Sequence, residues 1–245
     1  MSNINWLGAL DEFPNPIHCQ DPDPSVPGLI AVSERIYPGQ LARAYQIGIF
    51  PWYSDNQPVL WWSPNPRMVL RPANFKCHDS LKKTIRQFLS DPQKEILIDQ
   101  DFGAVVRSCA TARRKEQDGT WITHEIMDAY TILHEQGHAH SIAVMKDGRI
   151  IGGLYCVAFG CMVFGESMFS HQTNASKIAL AALAAWCDQN HVAMIDCQQE
   201  TPHLDSLGAA PISRNEFLVH LQIALKQTNI EIPWKLNKEI LRHWL

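Results

Sequence analysis

Ten of the fifteen prolines fall within the first 66 residues of this 245-residue chain, and a proline every few positions breaks helices and sheet ladders before they lengthen. Residues 1–65 are therefore expected to form a small, loop-rich subdomain, with the main core in residues 66–245. Its clearest helix runs from Gly39 to about Ile47, with Gly48 as a stop. Trp52, Tyr53, Trp61 and Trp62 crowd around short extended pieces at 59–62 and 68–70, as aromatic cement for a subdomain poor in aliphatic core.

Beyond Pro66 helical and strand patterns alternate, which predicts an α+β (mixed α/β) domain. Helices are expected near 80–90, 102–112, 123–136 and 174–190, and strands at 95–99, 140–145, 150–159, 162–168 and 194–198. Asp147-Gly148 lies between two alternating apolar runs, a strong hairpin signal. Ser213 with Glu216 forms a capping box opening a helix through Leu225.

Hydrophobic residues make up 46% and charged residues 19%, which excludes a disordered, collagen-like or coiled-coil chain. A net charge of -4 excludes a surface that is wholly a nucleic-acid footprint, so any RNA contact must be local. Lys82, Lys83 and Arg86, or Arg113, Arg114 and Lys115, are the clusters able to meet phosphate, or they are solvated faces. The N-terminus shows no basic region followed by an apolar stretch, so no signal peptide is expected. The longest apolar run, 178–187, is too short to cross a bilayer. Seven cysteines without a C-x-x-C pair fit reduced thiols and a cytoplasmic protein.

His134-Glu135-Gln136-Gly137-His138 satisfies the zinc-peptidase expression H-E-x-x-H, but zinc needs both histidines on one helical face. Gly137 is expected to end the helix between them. Gly165-Glu166-Ser167-Met168-Phe169 lacks the closing glycine of a nucleophile elbow, and Cys197 reads as a core thiol. Asp196 and Gln198 lie two apart on a strand and are expected to share a face. Burying such a pair requires partners, so it is a structural network or a working site, and the residues alone leave both open. Glu166 adds a second acid in apolar surroundings. Leu154, Val163, Met168, Leu180, Leu183 and Ile195 line a pocket or are simply core.

Several blocks, taken in order, resemble the bacterial leucyl/phenylalanyl-tRNA–protein transferases. They are Gly48-Ile49-Phe50-Pro51-Trp52-Tyr53, Leu60-Trp61-Trp62-Ser63-Pro64-Asn65-Pro66-Arg67, Thr120-Trp121-Ile122-Thr123, Gly137-His138-Ala139-His140-Ser141, Gly165-Glu166-Ser167-Met168-Phe169-Ser170, Asn174-Ala175-Ser176-Lys177 and Ile195-Asp196-Cys197-Gln198. The resemblance implies a GNAT-like acyltransferase domain behind the small N-terminal subdomain. It implies transfer of leucine or phenylalanine, with methionine an open third, from tRNA to the α-amino group of proteins beginning with Arg or Lys. The product is an N-degron; no metal or coenzyme is implied, and a monomer is expected.

Residue by residue, the resemblance implies that Asp196 and Gln198 handle the incoming amine, with either taking its proton, and that Glu166 lies on the acceptor side. Trp52 and Trp121 match the residues associated with the terminal adenosine and the aminoacyl end. Leu154, Met168, Leu183 and Ile195 match the side-chain pocket, and Lys82, Lys83 and Arg86 are the expected tRNA contacts. The turn 170–177 contains no glycine, unlike the pyrophosphate cradle of coenzyme A-dependent enzymes on such folds. Three positions depart from the family pattern: Ala143 and Met145 replace a Glu and a Trp, and Cys156 a Gly. A coenzyme A-dependent N-acyltransferase, a zinc peptidase and a non-catalytic tRNA-binding module are the alternatives.

Overall fold

A computed structural model describes residues 4–19, 25–112, 122–227, 230 and 233–245. Trp121 and the Arg113, Arg114 and Lys115 cluster lie outside the described residues. The chain runs β1 (Asn5–Leu7), β2 (Leu29–Ser33), α1 (Gln40–Gln46), β3 (Phe50–Pro51), β4 (Val59–Trp62), β5 (Arg67–Leu70), α2 (Asp79–Ser90), β6 (Lys94–Ile98), α3 (Phe102–Thr111) and α4 (His124–Glu135). It continues through β7 (Ala139–Lys146), β8 (Arg149–Phe159), β9 (Met162–Ser170), α5 (Ala175–Gln189), β10 (Ile195–Gln198), α6 (Pro202–Ser206), β11 (Ala210–Ile212) and α7 (Arg214–Ala224). A 3₁₀ turn at Lys238–Trp244 ends it.

Two sheets result, one of order β1-β2-β4-β3 and one of order β11-β5-β10-β9-β8-β7-β6. The first is built from residues 5–62 and the second from 67–212, but one core spans both: Ile30, Tyr45 and Trp61 pack with Tyr130, Phe164 and Phe217. The seven-stranded sheet separates that core from a second one, between the sheet and α2, α5 and the C-terminal turn. β8 shows why both faces are covered. Leu154, Cys156 and Ala158 enter the second core while Tyr155, Val157 and Phe159 enter the first, as a period of two requires.

Local chemistry sets the elements. Asp147 and Gly148 take φ of 50° and 69°, the left-handed pair that a two-residue hairpin turn demands, and β7 and β8 pair antiparallel around them. Thr123 and Ser213 cap α4 and α7 by accepting from the N–H of Ile126 and Glu216. α2 buries Leu81, Ile85 and Phe88 at helical spacing and turns its cations outward.

The helix carrying His134 ends where Gly137 takes φ 78°. His134 then bonds the Ala139 carbonyl through Nδ1 at 2.7 Å, and His138 pairs through Nδ1 with the Ala158 carbonyl at 3.3 Å. The two rings stack on different phenylalanines, Phe102 and Phe159, and do not converge.

Candidate active site

β9 and β10 run parallel and are paired at Val163–Ile195 and Phe164–Asp196. Each strand is irregular just beyond. On β9, Gly165 and Ser167 pair with Cys156 and Tyr155 of β8, leaving Glu166 as the extra residue. On β10, Asp196 and Gln198 pair with Val69 and Met68 of β5, leaving Cys197 extra, and Gln198 takes φ 63°. Such bulges re-aim side chains. Here they bring Gln198 to Glu166, with Nε2 donating to Oε1 at 3.0 Å.

The expected common face for Asp196 and Gln198 is therefore corrected, because the bulge breaks the alternation between them. Asp196, fully buried, receives Arg67 from β5 in a two-pronged pair, Nε to Oδ1 at 2.8 Å and Nη2 to Oδ2 at 2.6 Å. Its Oδ1 also accepts the backbone N–H of Gln198 at 2.8 Å. Arg67 donates its remaining Nη1 to the Gly48 carbonyl at 3.3 Å and lies between the rings of Phe50 and Phe217, 4.7 and 4.5 Å from their centroids. Both charges are buried, paired and hydrogen-bonded, the condition under which such a pair persists.

Glu166 has the opposite setting. Tyr130 donates to its Oε2 at 2.8 Å, and the Tyr45 hydroxyl lies 2.5 Å from that of Tyr130. Tyr130 has one hydroxyl proton, spent on Glu166, so Tyr45 donates to Tyr130. No cation pairs with the carboxylate among the described residues. Burial pushes its pKa from 4.5 up to about 7, against the pull of the tyrosine hydroxyls and the Gln198 amide and with a further push from the negative Asp196.

Beside this pair opens a cavity of about 120 Å³, with Leu154, Met168, Leu180, Leu183, Ile195 and Leu204 as its apolar walls and Glu166, Cys197 and Gln198 at its polar end. Dry apolar cavities of about 150 Å³ accept benzene, so this volume suits a branched aliphatic side chain and is slightly short of the room an aromatic ring needs. The expected pocket residues Leu154, Met168, Leu183 and Ile195 all line it. Val163 does not, and is fully buried in the second core. Cys197 lines it as an inert thiol, since burial pushes its pKa far up, with Asp196 adding to the rise, and only the thiolate is a nucleophile.

The other expected residues stand apart. Trp52 is half-buried on the four-stranded sheet against Trp62, whose Nε1 donates to the Trp52 carbonyl at 2.7 Å, and it does not line the cavity. Lys82, Lys83 and Arg86 project from α2, which touches the start of α5 through Asn174 Nδ2 to Thr84 Oγ1 at 3.3 Å. Among the described residues none of the three cations makes an ion pair. Arg67, Tyr45, Tyr130 and Leu204 were not singled out in sequence. The signal available for Arg67 was Asp196, a carboxylate in an apolar strand that required a cation.

No helix among the described residues is long and apolar enough to cross a membrane, and no described cluster of His, Cys, Asp and Glu has the makings of a metal site. The family profile for leucyl/phenylalanyl-tRNA protein transferase matches residues 69–222, and that for the family's N-terminal domain matches 35–65. A leucyl/phenylalanyl-tRNA–protein transferase of Cupriavidus taiwanensis is 53% identical over 98% of this chain and 96% of its own. One of Burkholderia ambifaria is 52% identical over 97% and 93%. Among solved structures, L-PGS from Bacillus licheniformis is similar over 68% of this chain and 51% of its own, at a TM-score of 0.40 and 11% identity. With half its residues shared over nearly the full length of such relatives, this chain belongs to the leucyl/phenylalanyl-tRNA–protein transferase family.

Proposed function

We propose that this protein moves leucine or phenylalanine from tRNA to the α-amino group of proteins beginning with Arg or Lys, as a cytoplasmic monomer. The observation that carries the reading is the apolar cavity of about 120 Å³ that is lined at one end by the Glu166–Gln198 pair. The donor side chain fills the cavity and holds the ester carbonyl at the polar end. The amine nitrogen bonds to that carbonyl carbon, the bond to the tRNA 3′ oxygen breaks, and the proton leaving the amine ends on that oxygen.

Glu166 and Gln198 divide the work. Gln198 spends its amide N–H on Glu166, which leaves the amide oxygen to accept from the acceptor amine. An amide oxygen is too weak a base to keep a proton. Glu166, poised at about 7, is matched to an α-amino group at about 7.7–8.0 and takes the proton, reached along the Gln198 amide or through a water. Asp196 acts as a positioning residue, because Arg67 occupies both its oxygens and its remaining bond fixes the Gln198 backbone. Trp52 and Trp121 are offered to the terminal adenosine, and Lys82, Lys83 and Arg86 to the phosphates.

The donor reading is supported at α5, where Ser170 Oγ accepts from the Ser176 N–H at 3.3 Å, so the chain's own hydroxyl takes up a first-turn amide that a pyrophosphate would need. The seven cysteines are all free thiols, which suits the cytoplasm. Radiolabelled Leu-tRNA mixed with an Arg-initiated protein tests the proposal. Acid-insoluble label surviving tRNA hydrolysis is expected, and no label with an Asp-initiated acceptor. Labelling from acetyl-coenzyme A in its place would overturn it.

A further inference from the structure

The cavity has walls of two kinds. Leu154, Met168, Ile195 and the two leucines of α5 stand on the sheet and its packed helix, and all of the walls, Leu204 included, belong to or pack against the second core. Leu204 comes from elsewhere. It sits on α6, in the stretch 199–206 between β10 and the buried Leu207, and every residue of that stretch except Leu204 is exposed.

This strap is pinned at both ends. At one end Gln198 is held by Asp196 and Glu166. At the other the Leu207 carbonyl accepts from the Lys76 N–H at 2.9 Å, and the His78 ring bonds the Ser206 carbonyl at 2.8 Å. Gly208 has φ 99°, with the Asn74 carbonyl oxygen 2.1 Å from where a Cβ would stand, so only glycine passes there. Within the strap, Thr201 Oγ1 accepts the N–H of Leu204 itself at 3.2 Å, which fixes the single helical turn and aims the side chain inward.

We propose that Leu204 is the residue that sets donor size, as the adjustable outer wall of the cavity. The inference rests on the aminoacyl-transfer reading above. Its physical basis is that the backbones of the remaining walls are fixed in the sheet and α5, where a volume change strains close-packed neighbours, whereas Leu204 packs against the core from a strap that is otherwise exposed and can shift with less strain. Shortening Leu204 therefore deepens the cavity, and lengthening it makes the cavity shallower.

Leu204→Ala and Leu204→Phe, each offered leucyl- and phenylalanyl-tRNA in competition, provide the test, with kcat/KM for each donor as the readout. Side-chain fit of this size is worth about tenfold in discrimination. Leu204→Ala should shift the ratio about tenfold toward phenylalanine, and Leu204→Phe by a similar factor toward leucine. Thermal unfolding of both should stay close to wild type, because each changes one half-buried side chain on a strap that is otherwise exposed. Wild-type transfer accompanied by ratios within about twofold of each other in all three proteins overturns the proposal alone. A wild-type protein that transfers neither residue overturns the reading beneath it as well.

Discussion

A guanidinium held at 1% exposure between two phenylalanine rings is tolerable only while its counter-ion is present. Removing one member of a buried pair costs about 3–5 kcal/mol, whereas replacing both by apolar groups is often neutral. Asp196→Ala should lower stability by about that amount in urea unfolding, and Arg67→Met with Asp196→Leu should recover most of it. Equal unfolding midpoints for Asp196→Ala and wild type would deny Asp196 this role. Glu166, Gln198 and Asp196 were legible as a polar set because apolar strands do not carry such residues without cause. Their mutual geometry was not, since two neighbouring bulges invert the side-chain alternation on which sequence reasoning relies. Arg67 was hidden by expectation, arginine being a residue of surfaces. Tyr130 reads in sequence as one more member of the buried face of α4 with Ile126 and Leu133.

Elements with many turns or a strong turn signal were legible: α2, α4, α5 and the hairpin of β7 and β8 follow from periodicity and from Asp147-Gly148. β1, β11 and α6 were not, because three residues of strand or one turn of helix contain no period to detect. β2 is five buried residues enclosed by proline-rich loops. α2 illustrates what periodicity does provide. Leu81, Ile85 and Phe88 hold the helix, so its outward cations can be removed without unfolding it. Replacing Lys82, Lys83 and Arg86 together by Ala should reduce the slope of log tRNA affinity against log salt by about two to three, at roughly 0.7–0.9 per phosphate contact. Filter binding over a salt series measures it; an unchanged slope would show that α2 does not meet the phosphates.

A shared core joins the two sheets, and Arg67 reaches from the large one to the edge of the small one. Arg67 stands on the large sheet, touches Gly48 and Phe50 beside the small one, and holds Asp196, whose last bond fixes the Gln198 backbone. The proline-rich segment is thus the support that sets the amide in place beside a carboxyl poised at about 7. Single-turnover transfer of labelled leucine from tRNA to an Arg-initiated peptide, followed against pH for wild type and Glu166→Gln, tests that claim most directly. Glu166 must be ionised to accept a proton, so the wild-type rate should rise with pH through about 7. Glu166→Gln should remain folded and bind tRNA, keep only the rise through about 7.7–8.0 that the acceptor amine itself imposes, and transfer about 10²–10⁴-fold more slowly. A folded Glu166→Gln protein that transfers at the wild-type rate with the wild-type pH profile would contradict the account.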